Sequence, residues 1–321
     1  MKKITLLLAV LIAPLPCVAV SAAEDAPPPA EVSDAEVPVQ PPMHFETPDA
    51  AVMALIDASE AEGRDALYAV LGSDLDELVS GDPVADAADR RSFVELAREE
   101  ADLEDETEDS AILSIGPNDW PFPIPLAKDD EGWYFDTRAG VEELLDRRVG
   151  LNELHAVATA RAFVDAQREY AAADPNGDGI GVYASRLWST DGKRDGLYWP
   201  TREGEPDSPM GPLVGEAVDE GYRTGEAGQR PRPYHGYYFR ILTAQGPAAP
   251  GGARSYLEDG RLVGGFGLVA WPTSYGNSGI MSFQVNQRGI VYEGDLGDDT
   301  GGVAASIDAY DPGDGWEPVV D

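Results

Sequence analysis

HGYYFRILTAQG (residues 235–246) and GGFGLVAWPTSYGNSGIMSFQVNQRGIVYEGDLG (264–297) decide the fold, because together they read as strands joined by turn chemistry. Residues 237–242 and 262–271 carry the β-branched and aromatic content of strands, and Gly264, Gly265 and Gly267 permit tight twist. A turn at 274–279, a strand over 280–286, a tight turn at Gln287-Arg288-Gly289 and a strand over 290–293 follow. Connections this short imply antiparallel neighbours.

Working outward, a helical pattern precedes the sheet. Leu154, Val157, Ala160, Val164, Gln167 and Tyr170 keep a three-to-four spacing. Asn152 is placed to cap this helix, and Gly150 to kink it away from an earlier helical run over 139–148. The loop Asp174-Pro175-Asn176-Gly177-Asp178-Gly179 ends it. Upstream, Thr47-Pro48 is a helix start, Gly72 a helix stop, and residues 92–100 a third helix. Residues 101–110 read as an acidic connector. AILSIG and GWYFDT then read as strands around the Pro-rich WPFPIPLAKDD, whose prolines suit an edge. Asp129-Asp130-Glu131-Gly132 makes a hairpin turn. Residues 191–233 show little regular structure beyond a short apolar helix near 213–218, and residues 302–310 suit a capping helix. The expected class is α+β: helices with a small antiparallel sheet, then a long helix followed by an antiparallel sheet.

The N-terminus has the layout of a cleaved secretory signal over residues 1–23. Lys2 and Lys3 precede an apolar run, and Ser21-Ala22-Ala23 closes it. The run is too short and too interrupted by Pro14 and Pro16 for a transmembrane helix, and Pro14-Leu15-Pro16 is a poor lipidation context for Cys17. Periplasmic or secreted location is therefore expected. Cys17 is the single cysteine, so a processed chain has neither disulfide nor thiolate chemistry. Residues 24–44 form a Pro/Ala/Glu-rich segment that lacks the apolar area to order itself and reads as a tether. Two further domains are expected, over 45–148 and 149–321.

The formal charge is −36. Lys2 and Lys3 are the only charged side chains before residue 24, so the processed chain carries −38. Such acidity excludes a phosphate-binding basic face and with it nucleic acid.

Several segments carry a resemblance. WPFPIPLAKDDEGWYFDTRAG, RRVGLNELHAV, DAQREYAAADPNGDG and YHGYYFRILTAQGP resemble domain-of-unknown-function family 2950, a family of exported bacterial proteins, from about residue 45 to the end. The resemblance implies export and no activity. Residues 150–297 also look like the globular part of pseudopilins, with Phe283-Gln284-Val285-Asn286 and Gly289-Ile290-Val291-Tyr292 as the matching strand pair. The signal peptide and leading domain depart from that pattern, so assembly into a pilus is not implied.

Candidate chemistry is sparse. Asp174, Asn176, Asp178 and Gly179 occupy the first, third, fifth and sixth positions of a calcium loop, but Ser185 stands where a bidentate glutamate belongs. His44, His155 and His235 lie in a tether, a helix and a strand entrance without ligand spacing. There is no G-x-S-x-G elbow and no phosphate-cradling glycine motif. Trp120, Trp199 and Trp271 each precede a proline, as rigid corners or as platforms for a glycan or peptide. The expected function is a non-enzymatic binding or assembly module holding an envelope protein or polymer. The alternatives are an envelope hydrolase using carboxylates such as Asp119 and Asp136, and a calcium-stabilised scaffold.

Overall fold

The computed structural model describes residues 40–174, 177, 179–202, 204–222 and 232–320. Thr47 starts the first helix as expected, its hydroxyl accepting from the Ala50 N–H at 3.2 Å with Pro48 in the first turn. That helix, α1 (Pro48–Glu60), is followed by α2 (Asp65–Leu71), which stops at Gly72 with φ 77°. A 3-10 turn (Ser73–Leu78) leads to α3 (Pro83–Glu99). This helix begins well upstream of the expected residue 92, because Asp82-Pro83 repeats the cap-plus-proline signal of Thr47-Pro48.

The first sheet comprises β1 (Ala101–Glu104), β2 (Ser110–Ile115), β3 (Trp120–Pro121), β4 (Leu126–Asp129) and β5 (Gly132–Phe135). Its order is β1-β2-β4-β5, with β3 also on β2, all antiparallel. The acidic stretch expected as a connector is thus partly a strand, since Leu103 pairs with Leu113 across an edge where the carboxylates stay solvated. The hairpin turn at 129–132 stands as read, and of the prolines Pro121 lies in the short strand β3 while Pro123 and Pro125 lie outside any strand. Leu113, Ile115, Leu126 and Phe135 from this sheet pack with Leu55, Ile56, Val70 and Leu71 into one core cluster.

α4 (Thr137–Ala173) is one continuous helix of 37 residues. The expected break at Gly150 and restart at Asn152 do not occur. A helical glycine costs only about 1 kcal/mol, and both ends of α4 are held by packing. Val141 joins the first core cluster, while Ala156, Ala160, Phe163, Val164 and Tyr170 join a second.

The second cluster lies against the large sheet. α5 (Gly211–Glu220) precedes β6 (Tyr237–Leu242), and the short pairs β7 (Ala244–Gln245) with β8 (Arg254–Ser255) and β9 (Leu257–Glu258) with β10 (Arg261–Leu262) follow. Then come β11 (Gly267–Pro272), β12 (Met281–Asn286), β13 (Tyr292–Asp295), α6 (Thr300–Ala305) and β14 (Glu317–Pro318). The sheet order is β14-β13-β12-β11-β6, antiparallel throughout. Leu268, Ala270, Phe283 and Val285 face α4, and Val269 packs with Leu242, Ala249 and Tyr310 in a third cluster. The class is α+β, with a long helix leading into an antiparallel sheet.

Candidate functional site

The residues singled out from the sequence are dispersed. Asp174 caps the C-terminus of α4 in the left-handed region (φ 42°). Its Oδ2 accepts from the Gly179 N–H at 2.8 Å, whereas Oδ1 is buried without a hydrogen-bond partner among the described residues. Asn176 and Asp178 lie outside the described residues. No group of three or more His, Cys, Asp or Glu among the described residues is arranged to hold a metal ion.

The tryptophans stand on β3, on the segment before α5 and on β11. Each has an arginine over its ring: Arg147 over Trp120 at 5.0 Å, Arg194 over Trp199 at 5.4 Å and Arg240 over Trp271 at 5.8 Å. No ring contact among the described residues joins one of the three to another. Asp136 caps α4, accepting from the Ala139 N–H at 3.1 Å, and Asp119 is exposed in a turn.

A denser constellation lies where the first helices meet the turns of the large sheet. The Asp82 side chain is fully buried. Its Oδ1 caps α3 through the N–H groups of Val84 (3.1 Å) and Ala85 (3.2 Å). Oδ2 accepts from the Tyr222 hydroxyl at 2.9 Å and from the Gly236 N–H at 3.1 Å. The Tyr222 oxygen in turn accepts from the His235 N–H at 3.1 Å. Burial pushes the Tyr222 phenol well above its ordinary range, so it keeps the proton that it donates to Asp82.

This arrangement follows from a tight turn. Tyr237 N–H donates to Tyr234 O at 3.1 Å, and the two central residues, His235 (φ 46°) and Gly236 (φ 71°), both have positive φ. That is the pattern of a type I′ turn. A Cβ on Gly236 would stand 2.6 Å from Asn152 Nδ2, so the position requires glycine for space as well as for conformation. Further bonds join the same seam. Thr273 donates to Ser80 O (3.0 Å), Asn277 to Glu77 O (2.8 Å) and Asn152 to Ser278 O (2.9 Å). Arg148 donates to Asn277 Oδ1 at 2.9 Å while facing Asp86 and Asp89.

At the edge of the seam the turn sets His235 against His155 of α4, ring centroids 4.0 Å apart. The Tyr234 ring also packs on His235, centroids 4.3 Å apart. His235 Nε2 is 3.2 Å from Glu220 Oε2, and His155 Nδ1 is buried without a partner among the described residues. Burial, then the neighbouring His155, lower the His235 pKa to about 4, against a smaller opposite pull from Asp82. Burial lowers His155 as well. Burial, then Glu216, raise the Glu220 carboxyl. The distance alone suggests an ion pair, but Glu220 Oε2 makes no aligned hydrogen bond among the described residues and burial favours the uncharged imidazole. Burial decides here, because a misaligned contact returns little of the desolvation cost. At pH 7 the pair is two neutral imidazoles beside a carboxyl group.

The sequence offers His155 and His235 only as histidines without ligand spacing, and gives no sign of Asp82 or Tyr222 beside them. His155 and His235 lack ligand spacing because 80 positions separate them, and only the fold brings them together. Two signals do exist. Asp82-Pro83 is a helix-start signal, and His235-Gly236 ahead of a strand is a turn signal, since His is among the residues enriched at positive φ.

No match to the chain is found among curated proteins or among solved structures, so the pilin-like resemblance of residues 150–297 has no solved counterpart. The family described as Protein of unknown function (DUF2950) matches residues 43–319, and the chain belongs to that family.

Proposed function

We propose that this is an exported cell-envelope protein, processed near Ala23, that works as a non-enzymatic binding or assembly module for an envelope protein or polymer. The N-terminal pattern of charge, apolar run and small residues supports export. No helix among the described residues is long and apolar enough to cross a membrane.

One surface observation carries the binding reading. Along α4, residues 147, 151 and 154 recur on one face. Arg147 covers Trp120, which is 39% exposed, and is itself held by Glu143 and by Pro121 O. Leu151 and Leu154 follow at 52% and 68% exposure. Single exposed leucines are ordinary. Two in succession beside an arginine-braced indole form the kind of apolar and aromatic surface that binds partners. Losing such anchors costs at least about 2 kcal/mol of binding, roughly 30-fold. The triple variant Trp120→Ala, Leu151→Glu, Leu154→Glu, immobilised beside the wild-type chain, should lose the components that the latter retains from envelope extract. Retention of the same components by a folded triple variant overturns the reading.

A second reading, calcium at the Asp174 loop, is favoured by Asp174 Oδ1, which is buried without a hydrogen-bond partner among the described residues. The hydrolase alternative has less behind it, since Asp136 is engaged in capping and no contact among the described residues joins it to Asp119.

A further inference from the structure

We propose that the stacked His155–His235 pair is an acid-sensitive latch, which holds the Tyr234–Tyr237 turn and the end of α5 against α3 and α4 at neutral pH and releases them in acid. Three geometric observations carry it. The two imidazoles are in ring contact at 4.0 Å, so a proton on either opposes a proton on the other. His235 sits at φ 46°, a conformation held by its surroundings and ready to relax once they loosen. The same residue's backbone is the joint of the seam, with its N–H on Tyr222 and the next N–H on Asp82.

The charged and titratable groups around His235 come from every element packed on it. α4 presents His155, α5 presents Glu220 with Glu216 behind it, α3 presents Asp82, and the adjoining turns present the Tyr222 and Tyr234 hydroxyls. Asp82 attracts a proton to His235, yet burial and His155 outweigh it. The sign follows. A closed-state pKa of about 4 against an ordinary 6.5 means that the open state binds protons more tightly between those values. The latch is fully closed above pH 6.5 and loses stability as pH falls toward 4. Glu220, raised in the closed state, works in the opposite direction and moderates the change. For His235 alone, opening rises roughly 60-fold between pH 7 and pH 4.5.

The test is amide hydrogen exchange on the full processed chain, each rate divided by its intrinsic chemical rate. Protection of the His235 and Gly236 amides should fall at least tenfold from pH 7 to pH 4.5, while amides of β12 hold. In His155→Gln and in His235→Asn, the latter chosen because Asn tolerates positive φ, the fall should shrink more than threefold. A fall below tenfold in the wild-type chain, or variants within threefold of it, overturns the latch. Should either variant fold poorly, NMR titration of the wild-type imidazoles decides: a His235 pKa below 6.0 supports the latch, and 6.0 or above overturns it.

Discussion

Replacing Asp82 tests whether the buried seam stabilises the fold or merely crosses it. The carboxylate makes four bonds, two to the first turn of α3 and two to Tyr222 and Gly236. In Asp82→Ala the lost cap costs about 1 kcal/mol. The Gly236 N–H is then buried without its acceptor, worth about 1–3 kcal/mol, and the Tyr222 hydroxyl adds about 1 kcal/mol after turning to a poorer partner. Against this stands relief from desolvating the carboxylate, which is substantial for a fully buried charge. Because one partner is removed and its donors stay behind, loss dominates: the gross loss is about 3–5 kcal/mol and the net, after that relief, about 2–4 kcal/mol. For a chain of this size that lowers Tm by roughly 3–7 °C. Asp82→Ser keeps a good cap but cannot reach the seam, and should recover only about 1 kcal/mol of the loss. Urea unfolding followed by both tryptophan fluorescence and circular dichroism gives the numbers and checks that the transitions coincide. An Asp82→Ala chain within about 1 kcal/mol of wild type would refute the reasoning, showing that desolvation cancels all four bonds.

Two glycines of α4 should respond to alanine with opposite signs. A Cβ on Gly140 would stand 2.6 Å from Ile124 Cα and 2.8 Å from Pro123 O, backbone that cannot yield, so Gly140→Ala should cost about 2–3 kcal/mol in urea unfolding. Gly150 has no atom within 4 Å of that position, and Gly150→Ala should gain about 1 kcal/mol from helix propensity. If calcium occupies the Asp174 loop, chelator lowers Tm and Asp178→Ala abolishes that response; an unchanged Tm on chelation removes the reading.

The fold was legible wherever the signal is local. Thr47-Pro48 starts a helix, Gly72 stops one, and the alternating stretches of 237–286 are strands, because caps, positive φ and two-residue periodicity are properties of neighbouring residues. Reading failed where distant contacts override local preference. Ala101–Glu104 is too acidic to look like a strand, yet it pairs along β2 with its carboxylates in water. Gly150 looks like a hinge, but two core clusters grip α4 on either side of it. The last long strand sits two residues later than expected, at Tyr292–Asp295, with Val291 O accepting from the Val319 N–H just ahead of it. The seam was the least legible part. Asp82, His155, Tyr222 and His235 come from four segments, and no spacing in a single chain encodes their meeting.

The division of labour within Asp82 explains why acid should loosen the seam without unravelling the helix beneath it. Among the described residues Oδ1 serves only α3, and Oδ2 serves only Tyr222 and Gly236. When the Tyr234–Tyr237 turn leaves, α3 keeps its cap. Opening forfeits three side-chain bonds of the seam, the two on Oδ2 and the one from His235 N–H to Tyr222, at about 1 kcal/mol each. A 60-fold bias from protonating His235 corresponds to roughly 2.4 kcal/mol. The two quantities are of similar size, which is the condition for a switch: a much stronger seam would ignore the proton, and a much weaker one would be open at neutral pH. Asp82→Ser, which removes the Oδ2 bonds and leaves the cap, should therefore move the acid response of the His235 and Gly236 amides toward neutral pH. A response unmoved in that variant would mean that the imidazole pair and the buried carboxylate act independently.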